Sequence, residues 1–138
     1  MAVAYLADKS ALARMNHGAV ATRLGPLLVG GDVATCGVID LEILYSARNH
    51  AELARLRAER AALPQLSIEQ ADFERAIEVL ETLARSGRHR AVGIPDLLFA
   101  AVAERAGVAV LHYDRDFDTI AAVTKQRVEW IVPAGTVP

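Results

Sequence analysis

The segment AVLHYDRDFD, residues 109–118, marks a change from a buried strand to a helix and carries a cluster of acids at that change. The apolar run Val108–Leu111 predicts a strand, and a helical pattern begins near Phe117. Three aspartates lie within five positions directly behind the strand, namely Asp114, Asp116 and Asp118. Because each carboxylate raises the cost of ionising the next, the fold must supply a counter-charge or a reason to tolerate the repulsion.

Strands and helices alternate along the rest of the chain. Further short strands are predicted at Val3–Ala7, Val33–Cys36 and Val128–Val132. Helices are predicted from Ser10 to about Val29 with a possible break at Gly25-Pro26, and at Val38–Arg48, Ala51–Leu63, within 66–87 and at Ile94–Ala106. In the helix within 66–87, the predicted apolar face consists of Phe73, Ile77, Leu80 and Ala84. Strands separated by helices favour an α/β fold with a mainly parallel sheet covered on both faces.

Composition limits the class of protein. The 138 residues, 53% of them hydrophobic, suffice for one domain that spans residues 1–138. The single cysteine, Cys36, cannot form an internal disulfide, and residues 1–7 lack the basic start of a signal peptide, so a reducing cytoplasm is expected. No apolar run approaches the roughly 20 residues that cross a bilayer. The net charge of −2 argues against a uniformly positive surface but permits a local basic groove.

Acidic residues from four separate segments are expected at one edge of the sheet. Asp8 follows the first strand, Asp114 and Asp116 follow Val108–Leu111, Asp96 lies in the first turn of a helix, and Glu42 lies on an apolar helix face. Sites in such folds form where the carboxyl ends of the strands meet the starts of the helices. Carboxylates are the ligands that Mg²⁺ and Mn²⁺ prefer. A site with these ions suits in-line displacement at a phosphodiester.

Each acid also has a structural interpretation. Asp8 and either Asp116 or Asp118 could cap helices, and the helix dipole could favour Asp96 in a first turn. Glu42 could form an ion pair with Arg14 or Arg90. These interpretations weaken jointly, because four segments deliver acids to the same predicted edge.

The basic residues divide into two groups. Arg88 and Arg90 precede Asp96 in a loop and are expected to bind substrate phosphates, unless they only decorate a solvated helix end. Arg55, Arg57 and Arg60 are expected to form exposed i,i+4 pairs. Cys36 is interpreted as a core residue, and the four histidines lack the spacing of zinc ligands.

Four segments resemble the VapC-type PIN-domain ribonuclease toxins of bacterial type II toxin–antitoxin systems. They are YLADKSALAR (5–14), GVIDLEILYSAR (37–48), GIPDLLFAAVAERAG (93–107) and VLHYDRDFDTIA (110–121). The resemblance implies a PIN-domain-like α/β/α sandwich and a Mg²⁺- or Mn²⁺-dependent endoribonuclease that cleaves structured RNA, such as a tRNA or an rRNA loop. It also implies a homodimer and inhibition by a cognate VapB-type antitoxin.

The resemblance assigns roles position by position. Asp8, Glu42, Asp96 and Asp114 match the family's acidic quartet, Asp116 matches an additional acid, and Ser10 matches a small hydroxyl residue that is expected to bind substrate. The chain has His112-Tyr113 where many relatives have Thr-His, which leaves open how the role of the Thr hydroxyl is filled.

Other functions remain as alternatives. A phosphoacceptor receiver domain needs a Lys that ends a later strand, and none is evident. A non-catalytic PIN-fold binding module is expected to lack some of the acids, and a DNA-cleaving nuclease would use the same site. For control by an antitoxin, an Arg or Lys of the partner is expected to enter the acidic pocket. Apolar surface around Leu12, Leu24 and Leu44 is expected to receive a helix of the partner, although core packing explains these leucines equally well.

Overall fold

The computed structural model describes residues 3–138, so residues 1 and 2 of the predicted domain lie outside the described part. Its strands are β1 (Tyr5–Ala7), β2 (Val33–Ala34), β3 (Ala109–His112) and β4 (Val128–Trp130). Its helices are α1 (Lys9–Leu12), α2 (Gly18–Val29), α3 (Gly37–Tyr45), α4 (His50–Ala61), α5 (Gln70–Arg85), α6 (Ile94–Ala106) and α7 (Asp116–Thr124). Within residues 3–138, no helix combines the length and the apolar character needed to cross a membrane.

The four strands form one parallel sheet in the order β2-β1-β3-β4, which confirms the predicted α/β class. In the pairing of β1 with β3, Leu6 lies opposite Val110 and Ala7 opposite Leu111. The N–H of Asp8 extends this ladder by donating to the carbonyl oxygen of Leu111, at 2.9 Å. The chain segments after β1 and β3 therefore leave the sheet side by side.

Side-chain alternation along the central strands divides the core into two layers. Leu6 and Val110 face the layer that contains α3, α5, α6 and α7, whereas Ala7 and Leu111 face the layer that contains α2. Successive side chains of a strand point to opposite faces, so adjacent apolar residues are buried in both layers. This two-sided burial explains why the strands are continuously apolar rather than alternating with polar residues.

Helix α6 is the most deeply buried helix and has the predicted bounds. It starts with Pro95 in its first turn and ends at Gly107, whose φ of +71° is a left-handed conformation that glycine adopts without strain. Seven consecutive residues from Leu97 to Ala103 are buried. The helix therefore holds its first turn, with Asp96, firmly beside the carboxyl ends of β1 and β3.

The predicted helix from Ser10 to Val29 is wrong in its continuity. The chain forms the short helix α1 and then the helix α2, and the break lies at residues 13–17 rather than at Gly25-Pro26. The side chain of Asp8 accepts a hydrogen bond from the N–H of Ser10 and so caps α1. Pro26 lies inside α2. Proline removes only one helical N–H donor, and a long helix packed on a core tolerates that loss.

Of the predicted apolar face of α5, only Leu80 packs against the core, and the other three residues are exposed. The buried residues are Asp72, Val79 and Leu83, whereas Phe73 is 47% exposed and Ile77 is 62% exposed. Asp72 is buried because Arg105 donates to both of its carboxylate oxygens, at 2.8 and 3.2 Å. A sequence window that counts only apolar residues cannot anticipate that a paired acid occupies the core-facing side.

Arg60 is not the exposed residue that the helix pattern predicted. Its side chain is only 9% exposed, and its Nε donates to Asp40 at 2.9 Å. Its Nη2 donates to the hydroxyl of Thr35 at 2.6 Å, and that hydroxyl donates to Asp40 at 2.8 Å. Arg55, by contrast, forms the expected exposed i,i+4 pair with Glu59. Cys36 lies in the core, as interpreted.

Candidate active site

Four of the predicted acids line one cleft of about 360 Å³ at the carboxyl edge of the sheet. Asp8 follows β1, Asp114 follows β3, Asp96 lies in the first turn of α6 and Glu42 lies on α3. The parallel register of β1 and β3 brings the first two together, and the buried helix α6 brings the third. Lys9, Ser10 and Arg14 complete the polar part of the lining.

Asp116 joins the same group from the start of α7. Carboxylate oxygens of Asp96, Asp114 and Asp116 all lie within 4.8 Å of one another. Three oxygen ligands at this spacing match the preference of Mg²⁺ and Mn²⁺ for hard oxygen donors. No histidine or cysteine joins this set, which is the one candidate metal cluster found in residues 3–138. The donor set therefore fits a hard divalent cation and not zinc.

The protonation of Asp96 shows that the negative charge of the cleft is poorly compensated by nearby positive charges. Burial, the charge of Asp8 and a hydrogen bond with Asp116 raise the pKa of Asp96 to about 8, and the charge of Asp114 adds to the effect. A carboxyl group with such a pKa keeps its proton at neutral pH because ionisation would add another negative charge to the group. A bound cation would remove that penalty, and binding would release the proton.

Asp8 and Glu42 share this environment. Burial raises the pKa of Asp8, and its hydrogen bonds with Ser10 only partly offset the effect. Burial and the charge of Asp8 raise the pKa of Glu42, while the charge of Lys9 lowers it. No ion pair joins Glu42 to Arg14 or Arg90 in the described part of the chain. The predicted ion pair of Glu42 with Arg14 or Arg90 is therefore wrong.

Ser10 links the two loops that carry the acids. Its N–H donates to Oδ2 of Asp8 at 3.0 Å, and its Oγ accepts from the N–H of Tyr113 at 2.8 Å. The hydroxyl thus fixes the distance between the segment after β1 and the segment after β3. This contact gives Ser10 a structural task at the site in addition to its place in the lining of the cleft.

His112 accepts a hydrogen bond from the backbone of Asp114. The imidazole is fully buried, and its Nδ1 accepts from the N–H of Asp114 at 3.1 Å. Burial lowers the pKa of His112 to about 4, so the ring is neutral at pH 7 and its proton is assigned to Nε2. Nε2 has no hydrogen-bond partner among the described residues, and the rings of Phe117 and Trp130 lie 5.0 Å away. The imidazole therefore supplies the acceptor that a Thr hydroxyl could supply at this position.

The three clustered aspartates have three different partners. Oδ1 of Asp114 accepts from the N–H of Asp116 at 2.9 Å, and Oδ2 of Asp116 accepts from the N–H of Gly93 at 3.1 Å. Asp118 points elsewhere and accepts from the indole nitrogen of Trp130, at 3.1 and 3.3 Å. The cluster thus divides into two acids at the cleft and one acid that fixes an aromatic ring.

The arginines at the cleft differ from those predicted. Arg88 and Arg90 are exposed and are not among the residues that line the cleft. Arg14 lines it instead, and its Nη1 donates to the carbonyl oxygen of Ser10 at 2.7 Å. Its guanidinium lies 4.6 Å from the centre of the Tyr113 ring. Sequence analysis considered Arg14 only as an ion-pair partner, because it placed Arg14 inside one long helix, whereas the chain turns after α1 and directs Arg14 to the cleft.

Comparisons with known proteins agree with this geometry. The model of the PIN domain family matches residues 5–123. Ribonuclease VapC21 of Mycobacterium tuberculosis is 48% identical over 99% of both chains, and Ribonuclease VapC51 of the same organism is 46% identical over 99% of both. The toxin–antitoxin complex VapBC of Salmonella typhimurium, in a DNA-bound crystal structure, contains a chain of similar fold with a TM-score of 0.77. At 18% identity this match covers 94% of the present chain and 99% of the other. The protein therefore belongs to the PIN-domain family and, within it, to the VapC type.

Proposed function

We propose that this protein is a metal-dependent endoribonuclease toxin held in check by a cognate antitoxin. The observation that carries the proposal is the group of five carboxylates, none of which forms an ion pair in residues 3–138 and three of which lie within 4.8 Å of one another. Relatives at 46 and 48% identity are named ribonucleases, which favours RNA over DNA as the substrate. We expect the substrate to be structured RNA, such as a tRNA or an rRNA loop. We therefore also expect the protein to act in the cytoplasm.

Asp96, Asp114 and Asp116 would hold Mg²⁺ or Mn²⁺, which when bound neutralises the carboxylates and polarises the scissile phosphate. The N–H of Ser10 holds Asp8 in position, where its carboxylate would add to the negative charge that attracts the cation. Glu42 is half-buried and has a raised pKa, so it is suited to take a proton from the attacking water. The water oxygen then bonds to phosphorus, the bond to the leaving ribose oxygen breaks, and that oxygen takes a proton from solvent.

The test is cleavage of total RNA with Mg²⁺ or Mn²⁺, with matched DNA in parallel. Discrete RNA products that disappear with EDTA are expected, and the DNA is expected to stay intact. The Asp96→Asn variant, purified in the same way, controls for contaminating nucleases. Cleavage that persists in EDTA would overturn the metal-dependent account, and cleavage of DNA alone would overturn the assignment to RNA.

An apolar groove of about 550 Å³ adjoins the acidic cleft and is suited to a helix of the antitoxin. Its apolar walls come from α1 to α4 and include Leu12, Met15, Leu28, Ile43 and Leu56. Lys9 and Ala13 line both the groove and the cleft, so a partner seated in the groove can extend into the cleft. Leu24 was expected on this surface, but it is fully buried in the core. Leu44 does not line the groove either.

Inhibition by the antitoxin is testable from both sides of the interface. Co-expression with the adjacent small gene is expected to give a stable complex without nuclease activity. Leu56→Glu should release the partner because a charge in the apolar groove cannot be solvated in the complex. Alanine in place of the partner's cleft-facing Arg or Lys should restore part of the cleavage. If inhibition stays complete in both cases, the antitoxin acts elsewhere.

We also propose a homodimer through the layer that contains α3, α5 and α6. Large apolar side chains are exposed on these helices, namely Leu41 (68%), Tyr45 (91%), Phe73 (47%), Ile77 (62%) and Ile94 (79%). Of the seven exposed large apolar side chains in residues 3–138, these five lie on this layer, and Val29 of α2 and Leu53 of α4 lie outside it. Exposed apolar residues that gather on one layer are typical of an interaction surface. Analytical ultracentrifugation should give twice the chain mass, and Ile77→Glu should lower it. A monomer at all concentrations would contradict the proposal.

A further inference from the structure

A second groove continues from the acidic cleft along the end of the sheet. It measures about 510 Å³, and its walls include Arg14, Tyr113, Asp114, Arg115 and Trp130. Arg14 and Asp114 line both this groove and the acidic cleft, so the two spaces adjoin. A polymer whose backbone is cut in the cleft would therefore have an open path for the nucleotides next to the cut.

Neither arginine of this groove forms an ion pair with an Asp or Glu side chain in the described part of the chain. Arg14 donates from Nη1 to the carbonyl oxygen of Ser10 and from Nε to a main-chain oxygen of Pro138, and these two contacts orient its guanidinium. Arg115 is exposed at the start of α7 and forms no ion pair among residues 3–138. Most other arginines are paired with carboxylates, among them Arg60 and Arg105. Unpaired guanidinium groups beside a cleft are well suited to phosphate oxygens.

The remaining walls are aromatic and rigidly held. Tyr113 and Trp130 are half-buried and meet edge to face, with ring centroids 5.3 Å apart. The hydroxyl of Tyr113 accepts from the N–H of Gly135 and of Val137, and the indole of Trp130 donates to Asp118. Unpaired bases pack against such rings, whereas the bases of a duplex are covered by their own stacking.

We propose that this groove binds the single-stranded RNA segment next to the scissile phosphodiester. Arg14 and Arg115 hold the flanking phosphates, and the rings of Tyr113 and Trp130 contact an unpaired base. The inference rests on the proposed ribonuclease function and locates its substrate. It also moves the phosphate-binding role from Arg88 and Arg90, which lie outside the lining of both spaces, to two other arginines.

The test measures binding apart from cleavage, in the Asp96→Asn background and with Mg²⁺ present. The probe is a short fluorescein-labelled single-stranded RNA of mixed sequence, followed by fluorescence anisotropy. Arg115→Ala should weaken binding about tenfold and reduce the salt dependence by about one phosphate contact. Arg57→Ala is the matched control, because Arg57 is an exposed arginine on α4 outside both spaces. In the cleavage-competent protein, Arg115→Ala should affect KM more than kcat.

Two results would overturn the groove assignment. One is unchanged affinity in Arg115→Ala together with a loss in Arg88→Ala or Arg90→Ala, which would assign the RNA to the loop before α6. The other is an Arg115→Ala variant that loses as much affinity for a fully paired RNA duplex as for the single-stranded probe. That result would contradict the single-strand preference. The proposed function fails separately, when the unsubstituted protein binds the probe but never cleaves RNA. Failure of the Asp96→Asn protein to bind the RNA probe at all would also overturn the groove proposal.

Discussion

Two clusters of charged side chains in this protein differ in whether their charges are paired within the fold. At the end of α4, Arg60 is paired with Asp40 and hydrogen-bonded to Thr35, so the charges cancel within the fold. At the acidic cleft, burial and the charges of Asp8 and Asp114 raise the pKa of Asp96, and none of these three acids forms an ion pair in residues 3–138. Elsewhere in the fold, buried acids are paired with arginines, whereas the acids of the cleft are not. The contrast indicates a role in stability for the first group and supports the proposed cation site at the second.

The largest expected effect comes from removing one acid of the unpaired group. Asp96→Asn should lower RNA cleavage by roughly 10³-fold, since cation-assisted catalysis contributes several kcal/mol to the transition state. Metal-free thermal stability should hold or rise, because the native state no longer has to keep a carboxyl group protonated at this position. Cleavage rates and melting curves measure the two effects. A variant that unfolds would instead give Asp96 a structural role.

Breaking the paired group should have the opposite signature. Arg60→Ala should lower the free energy of unfolding by about 3 kcal/mol, because it leaves Asp40 without its buried partner. Arg55→Ala, which removes an exposed pair on the same helix, should cost at most about 0.5 kcal/mol. Urea denaturation of both variants measures the difference. Equal losses would mean that burial of the Arg60 pair does not matter.

The pH dependence of the metal-free protein sharpens the comparison further. Asp96 keeps its proton in the native state up to about pH 8, whereas the unfolded carboxyl loses it near 3.8. Between these values the native state binds more protons, so raising the pH favours unfolding. The buried, neutral His112 opposes this trend below about pH 6.5, because there the unfolded imidazole takes up a proton. The melting temperature should therefore fall by several degrees from about pH 6.5 to pH 8.

The control for this dependence is Asp96→Asn, which should flatten it over the same range because the amide does not titrate. Added Mg²⁺ should also raise the melting temperature most at pH 8, where binding no longer has to displace the proton. A melting temperature that rises with pH in the metal-free protein would contradict the account of the cleft.

The smallest expected effect concerns the support beneath Asp114. His112→Asn places an oxygen acceptor near the position of Nδ1, whereas His112→Gln places it nearer Nε2. Asn should therefore keep Mn²⁺ affinity close to that of the parent, and Gln should lose about tenfold, as commonly happens when a residue that orients a metal ligand is replaced. Isothermal titration with Mn²⁺ measures both, and melting curves separate the cost of packing. Equal loss in both variants would leave His112 as a packing residue only.

Local signals in the sequence account for much of this protein. The apolar run before Asp114, the Pro95 and Gly107 limits of α6, and the acids that follow strand ends depend on neighbours in the chain, so they predicted the parallel sheet and the acidic edge. Caps, breakers and strand runs act over a few residues, and their physics does not change with the rest of the fold.

Only the tertiary structure decided which charges were to be neutralised. Arg60 and Asp40 meet from different helices, Asp72 is buried because Arg105 reaches it, and Arg14 rather than Arg88 lies at the cleft. His112 is buried and neutral only because Phe117 of α7 and Trp130 of β4 pack against its ring. An ion pair between elements, or the burial of a polar ring, depends on residues from distant parts of the chain, and no local pattern specifies which of them will arrive.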